Sequence, residues 1–318
     1  LNFRAQLQVD LQALENIFQN PTFGRGPASL GFELELSLVD IAGNAKWINT
    51  QLQEEANDEQ LTLELNRYNL EYNLNPMPAK GTPFSEMARA MSAKLRGLSD
   101  LAGKHGVTPV TIGILPTTTL HDISPAATTD DLRYHALTQR ICQMRGKSFE
   151  ISIDGPEPLN LKLNNINAEG ANTSLQIHLR VPPSEFVNIY NAAQLVVGPC
   201  LAIATNSPLF LRHRLWEETR IPLFKQAVET RTPQEKAKGD MSRTGMGKCW
   251  LAGSALELFR QSVEEFDPLL PECVPEDSLA KVQRGETPQL AALRLHHGSI
   301  WHWNRAIFDP VARSEEHT

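Results

Sequence analysis

The sequence predicts an α+β fold, a mainly antiparallel sheet with one polar, carboxylate-lined face and helices packed on the other. Two stretches alternate strictly. Phe32, Leu34, Leu36 and Leu38 oppose Glu33, Glu35 and Ser37, and Leu175, Ile177 and Leu179 oppose Ser174, Gln176, His178 and Arg180. That is the pattern of strands buried on one side only, not of a parallel sheet covered on both. Helical patterns fall between the strands rather than in a block of their own. No repeat, low-complexity tract or linker divides the 318 residues, so one domain, 1–318, is expected.

In chain order, Leu7, Leu11, Leu14 and Phe18 recur at helical spacing, which predicts a helix over 5–18, and Pro21 to Pro27 is a Gly/Pro loop. The first alternating strand spans 31–40. A second strand region, 61–75, changes parity near Arg67, which predicts a bulge or turn in its middle. A helix is expected over 83–105 and a short buried strand over 107–115. A helix over 130–145, a strand over 149–154 and the alternating strand 172–181 follow. A long apolar helix after Pro183 ends before Asn206-Ser207-Pro208. Gly239 to Lys248, with three glycines, Arg243 and Lys248, is expected to be a mobile loop that closes on phosphate. Residues 254–266 read as a helix, and 298–308 as aromatic and strand-like.

Composition narrows the function. Hydrophobic residues make up 41% and charged residues 21%, which is ordinary globular material. Lys+Arg 30 against Asp+Glu 37 leaves a net charge of −7, which opposes non-specific binding to nucleic acid or to an anionic membrane. The longest apolar run, Leu195 to Ala204, is interrupted by Gly198 and Pro199 and is far short of the ~20 residues of a spanning helix. No secretory signature opens the chain. Cys142, Cys200, Cys249 and Cys273 form no Cys-x-x-Cys clip, so a reducing, cytoplasmic setting is expected, with each cysteine a small buried hydrophobe.

Glu33 and Glu35 leave one face of one strand, where like charges gain nothing unless a cation separates them. One such pair alone reads as a solvated face. Glu64 and Glu71 flank the parity break, however, and His178 projects from the polar side of the third strand. Four carboxylates and an imidazole make an oxygen-rich shell suited to Mg²⁺ or Mn²⁺ rather than zinc. His296, His297 and His302 have aromatic neighbours that favour packing or substrate contact over ligation. Gly146-Lys147-Ser148 and Gly247-Lys248-Cys249 both miss the first glycine of a phosphate loop, so any bound ATP needs metal ions to hold its phosphates.

Gly31-Phe32-Glu33-Leu34-Glu35, the Glu64…Glu71-Tyr72-Asn73 segment and Asn172-Thr173-Ser174-Leu175-Gln176-Ile177-His178 resemble the glutamate–cysteine ligase type 2 family. So do Ala204-Thr205-Asn206-Ser207-Pro208 and Ile300-Trp301-His302-Trp303-Asn304-Arg305. The resemblance implies a glutamine-synthetase-like catalytic domain that joins a carboxylate to an amine through an acyl phosphate, with ATP as substrate and Mg²⁺ or Mn²⁺ as cofactor. It implies that Glu33, Glu35, Glu64, Glu71 and His178 hold metal. Asn73, Thr173, Gln176, Asn206, Arg212 and Asn304 become ATP or substrate contacts, and Arg305 the catalytic charge clamp near the transferred phosphate. Glutamate and cysteine are the expected substrates; the same chemistry on other amino acids, or a silent nucleotide-binding regulatory domain, are the alternatives. Partners are then amino acids and ATP, without nucleic acid or membrane and with room for a homodimer. In the family a strand carrying Arg-x-Glu-x-Arg follows the Trp-Asn-Arg segment. Here the sequence reads Ser314-Glu315-Glu316-His317-Thr318 at that place, so the domain is expected to lack its C-terminal part.

Overall fold

The structure is a computed structural model and describes residues 2–310 except Lys147 and Cys273; the Ser314–Thr318 segment, where a further strand is expected, lies outside the described residues. The chain opens with α1 (Phe3–Gln19), β1 (Ser29–Val39), α2 (Asn49–Ala56), β2 (Leu61–Leu63), β3 (Asn69–Pro78) and α3 (Pro83–Gly103). Next come β4 (Thr108–Val110), α4 (Leu132–Arg145), β5 (Phe149–Ile153), β6 (Leu159–Leu163), β7 (Leu175–Arg180) and α5 (Phe186–Ile203). Then follow β8 (Leu209–Phe210), β9 (His213–Arg214), α6 (Arg220–Ala227), α7 (Pro233–Lys238) and β10 (Thr244–Gly245). Last are α8 (Leu256–Glu265), α9 (Ser278–Gln283), α10 (Ala291–Gly298) and β11 (Trp301–His302). The fold is mixed helix and mainly antiparallel sheet. Its backbone gathers into two compact units.

The larger unit holds Ala28–Arg180 and Leu201–Glu229. At its centre β1 pairs antiparallel with β3 along one edge, and with β4 and β7 on the other; β2 closes the far side of β3. The parity change near Arg67 is a turn, residues 64–68, joining β2 to β3 as a hairpin. Leu36, Leu38, Leu61, Leu70 and Tyr72 pack from the sheet against Leu52 of α2 and Leu98 and Ala102 of α3. Leu36, Leu38, Leu52 and Leu70 are wholly buried, each worth ~1.5–3 kcal/mol of apolar transfer. This layer fixes the sheet's other face outward, and that is the polar face. A second core gathers Ile151, Ile153 and Leu159 of the β5–β6 hairpin with Phe210 and Leu223.

The other unit takes the chain up to Pro27, Val181–Cys200 and the described residues from Thr230 onward. Leu7, Leu11, Leu14 and Ile17 of α1 pack on Phe259 and Val263 of α8 and Leu293 of α10. Asn2 caps α1 by accepting from the Ala5 N–H at 2.8 Å.

Several local expectations are corrected. The strand expected over 107–115 is only Thr108–Val110 and is not buried. Of 298–308 only Trp301 and His302 pair, with β10, because aromatic content makes a strand only where a partner edge exists. The apolar run is not interrupted: α5 passes through Gly198 and Pro199. By length and composition alone it is apolar enough to cross a bilayer, and of its residues only Tyr190 is buried. Cys200 and Cys249 are exposed and Cys142 is partly so, and these three are free thiols rather than core residues. Leu175, Ile177 and Leu179 are each about half exposed, because β7 is an edge strand whose apolar side is left open among the described residues.

Candidate active site

Register places the acids. On the polar face Glu35 of β1 lies opposite Glu71 of β3, and Glu33 lies between Asn73 of β3 and Gln176 of β7. Cross-strand partners share a face, so these side chains form two adjacent polar rows. Glu64 enters from the hairpin turn just beyond β2. Carboxylate oxygens of Glu35, Glu64 and Glu71 all lie within 4.8 Å of one another. His178, opposite Gly31, sets its Nε2 3.3 Å from Glu33 Oε1. The four acids and the imidazole named from the sequence thus gather around two neighbouring points.

Each carboxylate is held. Glu35 accepts from the Ser174 N–H at 2.7 Å and from its hydroxyl at 3.1 Å. Glu64 accepts from the Leu65 N–H at 3.2 Å. Glu71 accepts from Asn73 Nδ2 at 3.1 Å and Thr62 Oγ1 at 3.3 Å. These bonds orient the oxygens without neutralising them.

The electrostatics follow. Burial, then the charges of Glu64, Glu71 and Glu169, push Glu35 well above the usual carboxylate range. Burial, then Glu71 and Glu169, lift Glu64 to about 8. Glu71 is raised by burial first and by the Glu33 charge second. Burial alone lifts Glu169 to about 7. A set of buried acids that resists shedding its protons lacks positive charge. An all-oxygen donor set at this spacing fits a hard divalent cation such as Mg²⁺ or Mn²⁺.

The remaining candidates have assorted surroundings. Asn73 gives Nδ2 to Thr62 as well as to Glu71. Thr173 is buried, its hydroxyl donating to the Ile112 carbonyl and its own carbonyl accepting from Arg220. Gln176 stands half-buried beside Glu33. Asn206 is exposed, and its Oδ1 occupies the place a Cβ on Gly113 would need, which explains the glycine there. Arg212 is exposed at the tip of the β8–β9 turn, where Leu211 and Arg212 take φ of 49° and 66°. Positive φ at two non-glycine residues is strained and is commoner at functional positions.

Asn304 and Arg305 belong to the other unit. Asn304 Nδ2 donates to the Tyr190 carbonyl at 3.0 Å, and Arg305 donates to the carbonyls of Gly298 and Ile300. Both line a small cleft with Tyr190, His297 and His302. His296 and His297 are buried at the end of α10 and donate through Nε2 to the carbonyls of Ser262 and Ala306. The mobile loop expected over 239–248 is corrected too. Arg243 is buried, donating to the Ser299 and Asp267 carbonyls, and Lys248 pairs with Glu265 at 2.6 Å. Neither cation is poised to close on phosphate.

Two contributors escape the sequence pattern. Ser174 holds Glu35 through a backbone N–H that any residue could supply. Glu169 lies in Asn164-Asn165-Ile166-Asn167-Ala168-Glu169-Gly170, a stretch with no periodicity to assign it a face.

Compared with known proteins, residues 29–245 match the family model described as glutamate-cysteine ligase family 2, which covers more than half of the chain. No curated protein matches it.

Proposed function

The chain belongs to glutamate-cysteine ligase family 2, a family of ATP-dependent carboxylate–amine ligases, and from that premise we propose that it makes an amide bond, with glutamate as donor and cysteine as amine. The observation that carries the reading is the convergence of Glu35, Glu64 and Glu71 within 4.8 Å on the polar face. In the proposed reaction a substrate carboxylate oxygen attacks the γ-phosphorus of ATP. The bond to the β-phosphate oxygen breaks, giving ADP and an acyl phosphate. The amine then attacks the acyl carbon, phosphate leaves and the nitrogen sheds a proton.

Residues Glu35, Glu64 and Glu71 would hold one divalent cation, and Glu33 with His178 would serve a neighbouring position. When bound, Mg²⁺ or Mn²⁺ supplies the charge that neutralises phosphate oxygens during phosphoryl transfer. The side chains' own part is orientation. Ser174, Thr62 and Asn73 fix the carboxylate rotamers in advance, so little reorganisation is left for the moment of reaction. A cytoplasmic setting agrees with the net charge of −7 and the free thiols.

A coupled ADP-release assay over pairs of amino acids tests this. ADP formed only when Mg²⁺, a carboxylate donor and an amine are all present is expected. Tight binding of a non-hydrolysable ATP analogue without turnover on any pair would leave a silent nucleotide-binding domain instead.

A further inference from the structure

We propose that Arg220 is a positioning residue of the cation site, bracing Glu35 through the single peptide group that joins Thr173 to Ser174. The proposal deepens the ligase reading and rests on it. Among the described residues the Arg220 guanidinium pairs with Glu218, not with any of the three converging carboxylates. It acts on the site from behind.

Arg220 Nη1 donates to the Thr173 carbonyl at 2.7 Å. The other end of that peptide group is the Ser174 N–H, which donates to Glu35 at 2.7 Å. A cation and a carboxylate thus bind the two ends of one amide. Each charge polarises the amide toward the other, so both hydrogen bonds are charge-assisted, and both sit at the short end of the N–H···O range. The Ser174 hydroxyl adds a bond to the second Glu35 oxygen at 3.1 Å, and the Ser174 carbonyl accepts the Glu35 N–H at 3.0 Å. The carboxylate therefore follows wherever this amide is set.

The surroundings of Arg220 are built to aim it. Glu218 and Ser207 are both buried, and Glu218 Oε1 accepts from Arg220 Nε and from the Ser207 hydroxyl, the latter at 3.0 Å. A planar guanidinium gripped at Nε and at Nη1 has one orientation. Gly113 leaves room for it, because a Cβ there would lie 2.9 Å from Arg220 Nε. Thr173 is pinned independently: its N–H donates to the Gly113 carbonyl at 2.9 Å and its hydroxyl to the Ile112 carbonyl. A buried ion pair is weak evidence for stability, since apolar side chains often serve as well. This pair has a use if its cation must reach a peptide that holds a carboxylate of the metal site. It brings positive charge within two hydrogen bonds of Glu35 without filling a ligand position.

The test titrates the full chain with Mn²⁺ alone, following free Mn²⁺ by electron paramagnetic resonance, in the parent, E218Q, R220M/E218Q, R220K and E35Q. Removing both charges together avoids stranding a buried carboxylate, so R220M/E218Q is expected to fold. E218Q leaves an oxygen for Arg220 Nε and should bind Mn²⁺ within about threefold of the parent. R220M/E218Q should bind about 10- to 100-fold more weakly, the range for losing a group that supports a metal ligand. R220K keeps the charge but cannot span Glu218 and Thr173 together, and should fall between the two. A ¹⁵N-serine spectrum of the metal-free protein gives a second readout. The Ser174 amide, identified by the peak that S174A loses, should lie at low field in the parent and move upfield in R220K. Parent-like Mn²⁺ binding by R220M/E218Q with binding lost in E35Q, or a Ser174 amide unmoved in R220K, would overturn this assignment and leave the ligase site standing. Equal losses in E218Q and R220M/E218Q would mark packing damage and overturn it as well. A parent that binds no Mn²⁺ would overturn the ligase reading together with this one.

Discussion

At Glu35, hydrogen bonding and repulsion pull in opposite directions. Two donors from Ser174 favour its anion, yet burial and three neighbouring acids outweigh them. Replacing Glu35 by Gln keeps one carbonyl oxygen and removes a unit of charge. Turnover is expected to fall about 100-fold or more, by the scale of losing one positioned electrostatic contact, and the metal-free protein should be no less stable. Steady-state kinetics against Mg²⁺ concentration check it, and a fully active variant would return Glu35 to the solvated surface. The same acids set a pH dependence. Glu64 at about 8 and Glu169 at about 7 hold protons that the unfolded chain, with the ordinary value of 4.5, has already released. The folded state therefore binds more protons across that window, and stability falls as pH rises from about 4.5 toward 8. Melting with a chelator should show this decline. Mg²⁺ should raise the melting temperature more at about pH 8 than at about pH 6, where protons compete for the same oxygens; a Mg²⁺ effect independent of pH would contradict the assignment.

Among the elements, β1 was the most legible, because one covered face and one polar face print themselves on the sequence as period-two alternation. Alternation also showed the break between β2 and β3, since a hairpin turn resets parity. It misled at β7, where Leu175, Ile177 and Leu179 read as inward although the sheet edge leaves them half exposed. Spacing reveals that residues share a face, not what covers it. Glu169 and the Arg220 contact with Thr173 were illegible because irregular segments have no period, and that contact joins positions 47 apart. The β8–β9 turn carries its own prediction. Arg212→Gly relieves a left-handed φ of 66° and should stabilise the protein by about 1 kcal/mol. If Arg212 also contacts nucleotide, the KM for ATP should rise with kcat retained. Denaturant melts and ATP kinetics on one variant separate the two effects, and an unchanged KM would make Arg212 a turn residue only.

For the whole molecule, an acidic chain of net charge −7 concentrates buried carboxylates on one sheet face while helices cover the other. That arrangement has a use if cations are drawn to the polar face and phosphate follows them. The fold class and the gathering of Glu33, Glu35, Glu64, Glu71 and His178 could be read from the chain, since strand faces and family motifs both locate them. The surroundings of Asn304 and Arg305 could not, because motif order carries no tertiary geometry. The central claim is that ATP activates a substrate carboxylate for attack by an amine. Its most direct measurement supplies a donor amino acid with ¹⁸O in the reacting carboxylate and analyses the phosphate released. An acyl-phosphate route transfers one carboxylate oxygen to each phosphate formed, so singly labelled phosphate in step with amide and ADP is the expected result. Unlabelled phosphate accompanying ADP would mean that ATP is hydrolysed by water, and would contradict the account.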